Sequence, residues 1–265
     1  MCLVSVVMSV FNEEEYLADA IESILSQTFT NFEFIIVNDG STDESINIIK
    51  AFDDQRIIII EQDNKGLTAS LNIGIKASKG KYIARQDADD YSYPNRLECQ
   101  IREFENNSTL VLLGTRADID YGDFSYISQA YGSGDIKDEL LGSNILVHSS
   151  VCFLRDTFLE IGLYDIKYDT SQDYDAWLRL SKFGDIAVLN KVLVRRVVRQ
   201  NSISGRKMIR QCLNTYKIRR DYVSFYRNVK QTVYQYLSNS LSRSMIKRVK
   251  IMNRKFMLKG KFNEE

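Results

Sequence analysis

The first 117 residues alternate short runs of β-branched residues with segments of helical periodicity, and this alternation constrains the fold more than any other feature. Consecutive parallel strands need a crossover that is usually a helix, and strands covered on both faces are nearly continuous apolar runs. The pattern therefore predicts an α/β fold with a mostly parallel sheet flanked by helices. The predicted strands are 3–10, 32–38, 56–61, 82–86 and 110–117, and the predicted helices are 14–26, 41–51, 67–77 and one that begins near Pro94.

The rest of the chain follows two other patterns. Glycines at 122, 132, 134 and 142 indicate loops and short strands over 118–201, which we expect to continue the same sheet. Beyond Gly205, apolar side chains recur at steps of three, four and seven residues, as along one face of amphipathic helices. Asn-Ser pairs near residue 239 are expected to break this segment into two or three helices. The expected organisation is a domain over 1–205, in two parts (1–117 and 118–205), and a helical tail over 206–265.

Charge is divided unevenly between the domain and the tail. The whole chain has 35 basic and 35 acidic side chains, which argues against nucleic-acid binding by the chain as a whole. Residues 1–205 carry 19 basic and 32 acidic side chains, whereas residues 206–265 carry 16 basic and 3 acidic ones. Such a tail can dock on an anionic membrane surface, or it can pack on the domain or on a second subunit, and these alternatives weigh about equally. RNA binding is a much weaker alternative.

The cysteine pattern bears on the compartment. Cys2, Cys99, Cys152 and Cys212 lie far apart and His148 is the only histidine, so neither a zinc cluster nor a dense disulfide framework is expected. The apolar opening lacks a basic leader, and no stretch approaches ~20 apolar residues, so we expect neither a signal peptide nor a membrane span. The expectation is a cytoplasmic protein with free thiols, peripheral at the inner face of the membrane if the tail docks there.

Polar clusters follow three of the predicted strands, at 9–12, 37–41 and 86–90. In open α/β sheets, ligands bind beyond the carboxyl ends of the strands, so these clusters are expected to converge along one rim. Residues 38–43 have a simpler explanation as a turn with a helix cap, since Asn, Asp, Gly and Ser are common turn residues. There, Ser41 to Glu44 match a capping box that would open the helix predicted over 41–51.

The cluster at 86–90 points more strongly to a ligand. Asp87, Asp89 and Asp90 would repel one another unless a cation compensated them, whereas a helix cap requires only one carboxylate. Mg²⁺ and Mn²⁺ are bound by such oxygen ligands, usually one or two carboxylates plus a substrate phosphate. No GxGxxG follows a strand, and residues 74–81 fail the P-loop spacing. The residues alone therefore favour a metal–diphosphate site.

In this order, the motifs resemble those of family 2 glycosyltransferases, an inverting group with the nucleotide-sugar-binding GT-A fold. The matching segments are 5–13, 36–43, Gly66-Leu67 with Leu71-Asn72, 84–90 and 94–98. The resemblance covers about the first 205 residues. It implies that 1–117 binds the nucleotide and that 118–205 binds the acceptor.

The resemblance also implies the role of each matching residue. Phe11 would pack on the nucleotide base, Asp39 would accept from a base N–H, and Arg85 would lie beside the nucleotide. Asp87 would contact the ribose, and Asp89 of the D-x-D element would bind Mn²⁺ or Mg²⁺. The other residues implied at the nucleotide are Ser9, Asn12, Glu13, Asn72 and Ala88.

Further positions match the part of the family that handles the sugar and the acceptor. Asp173 matches the carboxylate that activates the acceptor, and Gln172 replaces the more usual Glu before it. Arg199 stands where a histidine is common and, being permanently charged, is expected to contact the diphosphate. His148 resembles a position near the donor sugar, although a lone histidine can equally be structural. Trp177 could stack on an acceptor sugar, but core packing is the stronger alternative.

The function implied by the resemblance is transfer of a sugar from a nucleotide-sugar, with UDP as the expected nucleotide, to a glycan or lipid-linked acceptor in surface polysaccharide synthesis. A nucleotidyltransferase would need a Gly-rich basic loop after the first strand, where this chain has 11–14, Phe-Asn-Glu-Glu. A binding protein without transfer activity would be expected to have lost a carboxylate, and Asp39, Asp87, Asp89 and Asp173 are all present. A homo-oligomer remains open.

Overall fold

The structure is a computed structural model that describes residues 2–132, 134–199, 208–224, 229–233 and 236. The elements are β1 (Val4–Val10), α1 (Leu17–Leu25), β2 (Phe32–Asn38), α2 (Ser45–Lys50), β3 (Ile57–Glu61), α3 (Leu67–Ala77), β4 (Tyr82–Asp87), β5 (Tyr91–Ser92), α4 (Arg96–Asn106), β6 (Leu110–Asp120), β7 (Ser125–Ile127), α5 (Lys137–Gly142), a 3₁₀ turn (His148–Ser150), β8 (Cys152–Leu154), α6 (Arg155–Glu160), α7 (Gln172–Leu180), β9 (Asp185–Val197) and α8 (Met208–Arg219).

The first half of the sheet is parallel, as the sequence predicts. Strands β3, β2, β1 and β4 lie side by side in that order and all run in one direction. Every residue of β2 is buried, as expected for a strand covered on both faces. The predicted strand over 32–38 and the predicted helix over 67–77 match β2 and α3 residue for residue.

The second half of the sheet is mixed, and it continues the first half as expected. The short strand β8 is antiparallel to both β4 and β6, and β9 then runs parallel to β6. The two-residue strand β5 pairs with the far edge of β9, and β7 forms a hairpin with β6. This arrangement brings the end of β9 back to the loop that follows β4.

The core consists of two layers, one on each face of the sheet. Val7 packs in one layer together with residues of α3 and α7, whereas Val6 and Met8 pack in the other together with α1 and α4. This division follows from the period of two along a strand. Two helices each bury one apolar face, with Leu17, Ala20, Ile21 and Ile24 on α1 and Leu97, Ile101 and Phe104 on α4.

The predicted capping box at Ser41 is wrong. Helix α2 begins only at Ser45, and its first amide donates to Asp43 Oδ1 at 3.0 Å. The Ser41 hydroxyl instead accepts from the backbone N–H of Asn12 at 3.1 Å. The Ser41 hydroxyl bonds to the loop after β1 because the backbone N–H of Asn12 in that loop needs an acceptor.

The described part of the tail packs on the domain. Helix α8 buries Cys212, Thr215, Ile218 and Arg219 and leaves Ile209 and Leu213 exposed. Packing on the domain, one of the alternatives above, therefore holds for α8. The helix break expected near residue 239 lies outside the described residues. Within the residues that the structure describes, none of the helices is both long and apolar enough to cross a membrane.

Candidate active site

The three polar clusters converge at one rim, as predicted. Ser9 of β1 stands in register with Val37 of β2 on one side and with Asp87 of β4 on the other, so the three strands end together. Asn12 has a left-handed backbone with φ 54°, and its Oδ1 accepts from the N–H of Thr42 at 2.8 Å. The loops after β1 and β2 are therefore joined directly.

Asp39 holds a third loop against this rim. Its buried carboxylate accepts from Gln62 Nε2 at 2.7 Å and from the backbone N–H groups of Lys65 and Gly66, each at 2.8 Å. A carboxylate accepts about four hydrogen bonds, so about one acceptor position remains for the N–H of a base. The side chain that the resemblance assigns to the base thus also fixes the β3–α3 loop.

Residues 87–90, at the end of β4, form an acidic tip of the rim. Arg85 and Asp87 make up its inner part. Arg85 is 1% exposed and donates through Nη2 to Asp87 Oδ1 at 2.5 Å. Burial would raise the pKa of Asp87, but the charges of Arg85, His148 and Arg196 bring it below its ordinary value. The Nε and Nη1 atoms of Arg85 have no partner among the described residues. Both atoms are buried, and buried donors left unpaired are costly.

Asp89, Glu13 and Arg199 form the outer part of the tip. Arg199 Nη2 lies 2.7 Å from Asp89 Oδ2 and 2.6 Å from Glu13 Oε2. Burial and the charge of Asp89 raise the pKa of Glu13 to about 6, although Arg199 opposes the shift. Burial and the charge of Asp87 likewise raise the pKa of Asp89. The two carboxylates are thus held together by one guanidinium, which lies where the resemblance places the metal and the diphosphate.

Asp90 points away from this rim. Its Oδ2 accepts from the Ser149 hydroxyl, and its Oδ1 accepts from the N–H of Val197 at 2.9 Å. Burial, together with the charges of Asp87 and Asp89, raises the pKa of Asp90 to about 8. This carboxyl group connects the tip to β9 and to the 3₁₀ turn.

Arg96 supports the tip through hydrogen bonds to β4 and β5, a role that sequence reasoning missed. Its fully buried guanidinium donates to the carbonyl of Arg85 at 2.7 Å, to Gln86 Oε1 at 3.0 Å and to Ser92 Oγ at 2.8 Å. Burial lowers the pKa of Arg96 to about 10. Because arginine is rarely fully buried, its position in helix α4 gives no local signal of this role.

Asp173 lies in the first turn of α7. Its Oδ2 accepts from Asn144 Nδ2 at 2.7 Å. His148 Nε2 lies 2.9 Å from the hydroxyl of Tyr164, and burial and Arg85 lower the pKa of His148 to about 4. The charges of both Asp87 and Asp173 act on this imidazole, so it is within electrostatic range of both carboxylates.

The other predicted site residues are placed as follows. Phe11 is 45% exposed at the rim, and the side chains of Ala88 and Gln172 are buried. The amide of Asn72 is bonded at both ends to the backbone of Tyr164, at 2.8 and 3.0 Å. Trp177 is fully buried against the rings of Phe153, Phe158 and Tyr164. It leaves no ring face for a sugar, so core packing is the alternative that the structure supports.

The donor set fits a hard cation only in part. Asp89 with its neighbours Asp87 and Glu13 supplies the oxygen ligands that Mg²⁺ or Mn²⁺ takes. However, no group of three His, Cys, Asp or Glu side chains in the described ranges is arranged as a metal site. A cation would thus need oxygens of a bound diphosphate, and it would meet Arg199 at Asp89 Oδ2.

The mixed sheet with helices on both faces is the architecture of the GT-A glycosyltransferase fold, which solved structures of similar fold share. A family model described as Glycosyl transferase family 2 matches residues 5–161, more than half of the chain. The chain belongs to this family, and it is a glycosyltransferase.

Relatives by sequence agree with this assignment. An uncharacterised glycosyltransferase of Haemophilus influenzae is 32% identical over 241 residues, which cover 85% of this chain and 75% of that protein. The hyaluronan synthase of Pasteurella multocida is 31% identical over 209 residues, which cover 78% of this chain but only 21% of the synthase. The chain thus spans about a fifth of the synthase.

Solved structures share the fold. S. aureus TarS 1-349 in complex with UDP-GlcNAc has a TM-score of 0.67 at 16% identity, covering 92% of this chain and 69% of that one. The mannosyltransferase PcManGT of Pyrobaculum calidifontis, in complex with GDP-Man and Mn²⁺, has a TM-score of 0.68 at 15% identity, covering 89% and 70%. Both share the mixed sheet described above.

Proposed function

We propose that this glycosyltransferase transfers a sugar from a UDP-sugar to a hydroxyl of a glycan or lipid-linked acceptor in surface polysaccharide synthesis. The observation that carries the proposal is the rim itself, where Asp87, Asp89 and the buried Arg85 lie at converging strand ends, with His148 in electrostatic range of both Asp87 and Asp173. The UDP-GlcNAc complex of TarS and the name of the Pasteurella synthase support a UDP-sugar donor and a glycan product.

In the proposed mechanism, Asp173 takes the proton from the acceptor hydroxyl as its oxygen attacks the anomeric carbon. A positioned general base contributes typically ~10²–10⁴-fold. Asn144 holds one oxygen of Asp173 and so orients the carboxylate. Because the acceptor attacks from the side opposite the diphosphate, the anomeric configuration inverts. Arg199 stabilises the negative charge of the departing diphosphate by charge-assisted hydrogen bonds.

A divalent cation belongs to this proposal. Asp89, with Asp87 or Glu13, would hold Mn²⁺ or Mg²⁺ together with the diphosphate. When bound, the cation supplies Lewis-acid stabilisation of the leaving group.

Two variants test the assignment. We expect Asp89→Asn to lose Mn²⁺-dependent UDP binding, whereas Asp173→Asn is expected to bind UDP normally but not to transfer. Isothermal titration with UDP and Mn²⁺ measures the first property. UDP release from UDP-GlcNAc, UDP-glucose, UDP-galactose and UDP-glucuronic acid, with water as the acceptor of the sugar, measures turnover and identifies the donor. Unchanged UDP affinity of Asp89→Asn, or wild-type turnover of Asp173→Asn, would refute the assignment.

The tail is proposed to bring the enzyme to anionic lipid. Residues 206–265 carry 16 basic side chains, and 10 of these follow Ser224. Vesicles of phosphatidylcholine with phosphatidylserine are expected to pellet the full chain but not a chain that ends at Ser224, which keeps α8. Equal pelleting of the two chains, or binding to pure phosphatidylcholine, would exclude this role.

A further inference from the structure

Helix α8 contacts the residues immediately before the proposed base. Asn214 Nδ2 donates to the carbonyl and to the hydroxyl of Thr170, at 3.1 and 3.0 Å. The hydroxyl of Thr215 lies 3.2 Å from the hydroxyl of Ser171. Asn214 and Thr215 are buried on this face of the helix. The tail is therefore attached two residues ahead of Asp173.

The contacted residue Ser171 has an unusual backbone. Its φ is 64° and its ψ is 16°, in the left-handed region, and it is the N-cap of α7 without a side-chain cap. A left-handed backbone at a residue other than glycine persists only where the surroundings hold it. Because the Ser171 hydroxyl is bonded to α8, the helix holds this turn, from which α7 departs.

The same helix also contacts the segment that carries Asn144, the hydrogen-bond donor to Asp173. The fully buried Arg219 donates through Nη1 to the carbonyl of Gly142 at 2.8 Å. Gly142 is the last residue of α5 and lies two residues before Asn144, which donates to Asp173 Oδ2. Both segments that set the position of the Asp173 carboxylate are thus fastened to α8.

We infer that α8 is a positioning element for Asp173, with Asn214, Thr215 and Arg219 as its positioning residues. The inference rests on the proposed function, because it needs Asp173 to be the base. Among the described residues, and apart from bonds within the tail, these side chains hydrogen-bond to residues 142, 170 and 171 rather than to the ends of β1, β2 and β4 that form the nucleotide rim. Their loss therefore slows transfer and leaves UDP binding intact.

Matched variants separate positioning from general stability. Asn214→Asp keeps the shape but turns a donor into an acceptor that faces the carbonyl of Thr170. Thr215→Val keeps the shape without the hydroxyl, and Thr215→Ser keeps the hydroxyl. Lys217→Ala, on the exposed face of α8, is the control.

Turnover and UDP affinity are measured on the full chain, by UDP release from the same four UDP-sugars and by titration with UDP and Mn²⁺. Displacement of a catalytic group by about 1 Å costs ~10²-fold. We expect kcat to fall about 10- to 100-fold in Asn214→Asp and less in Thr215→Val, with UDP affinity unchanged. Thr215→Ser and Lys217→Ala keep wild-type kcat. Wild-type kcat in both Asn214→Asp and Thr215→Val, or a matching loss of UDP affinity, overturns the inference.

Failure of the proposed function gives a different result. If the wild type binds UDP but releases none from the four donors, the proposed use of these UDP-sugars is overturned. Hydrogen exchange still tests the anchoring of α7, because the Asp175 amide donates to the carbonyl of Ser171 at 3.1 Å. Faster exchange there in Asn214→Asp than in Lys217→Ala supports the anchoring, and equal exchange overturns it.

Discussion

Replacing Arg199 with Met is expected to change metal affinity and UDP affinity in opposite directions. Its guanidinium occupies Asp89 Oδ2 and Glu13 Oε2 at 2.7 and 2.6 Å, so a cation that binds Asp89 without nucleotide must displace it. When a diphosphate is bound, the same group is available to the phosphate oxygens. Met removes the charge but keeps an unbranched stem of similar length.

The expected magnitudes follow from exposure. The Arg199 side chain is 31% exposed and its partners are 24% and 23% exposed, so each ion pair is worth about 0.2–1 kcal/mol. Release of both pairs therefore tightens nucleotide-free Mn²⁺ binding by about 2- to 30-fold. A hydrogen bond to a charged group contributes about 1.5–3 kcal/mol, so UDP binding weakens by roughly 10- to 150-fold.

Both affinities can be measured directly. Free Mn²⁺ is quantified by electron paramagnetic resonance at pH 8, where Glu13 with a pKa of about 6 is ionised. UDP affinity comes from isothermal titration in Mn²⁺. Arg195→Met is the matched control, because Arg195 lies on β9 only four residues before Arg199 and pairs with Asp120 at 2.6 Å. The reasoning is refuted if Arg199→Met binds Mn²⁺ no tighter than the control, or if it binds UDP as tightly as the wild type.

Three further predictions concern His148, the aromatic residues and Arg96. His148 is the only histidine and has a pKa of about 4, so its ring proton resonances should not shift between pH 8 and 5. Because the folded pKa is depressed, its stability contribution is present above pH 6.5 and is lost as pH falls toward 4. Between pH 7 and 5, the free energy of unfolding should therefore fall by about 2 kcal/mol less in His148→Gln than in the wild type. Titration of the wild type near pH 6.5 would contradict this. Phe11→Ala should weaken UDP binding without lowering the melting temperature, whereas Trp177→Ala should cost about 3–5 kcal/mol in urea unfolding; the reverse pattern would be inconsistent with their exposures. Arg96→Leu should cost at least about 3 kcal/mol, because it leaves several buried acceptors unpaired; an unchanged urea midpoint would show that they find other partners.

Much of the fold follows from local patterns in the sequence. The run 32–38 is apolar enough for a strand covered on both faces, and the spacing over 67–77 fits one helix, so both elements have the predicted bounds. The convergence of the polar clusters was also predictable, because parallel neighbours end at the same edge of a sheet. The helix predicted over 41–51 begins later than expected because its supposed cap binds another loop.

The side-chain partners within the site were not predictable in this way. Asn72 lies in a motif that suggests the nucleotide, yet its amide is bonded to a backbone 92 residues away. Arg199 meets Glu13 across 186 residues, and Arg96 is buried although arginine is usually exposed. Such contacts depend on which surfaces meet after the sheet and its helices have packed.

The sequence by itself therefore determined an α/β sheet with an acidic rim and the residues available there, since periodicity and strand ends are local properties of a chain. Only the tertiary structure decided which of these side chains lie at the rim and which support it by hydrogen bonds. It also decided that α8 packs against the residues before Asp173. Those choices depend on pairings between distant segments, whose free energies become favourable only when the packed core excludes water and fixes both partners.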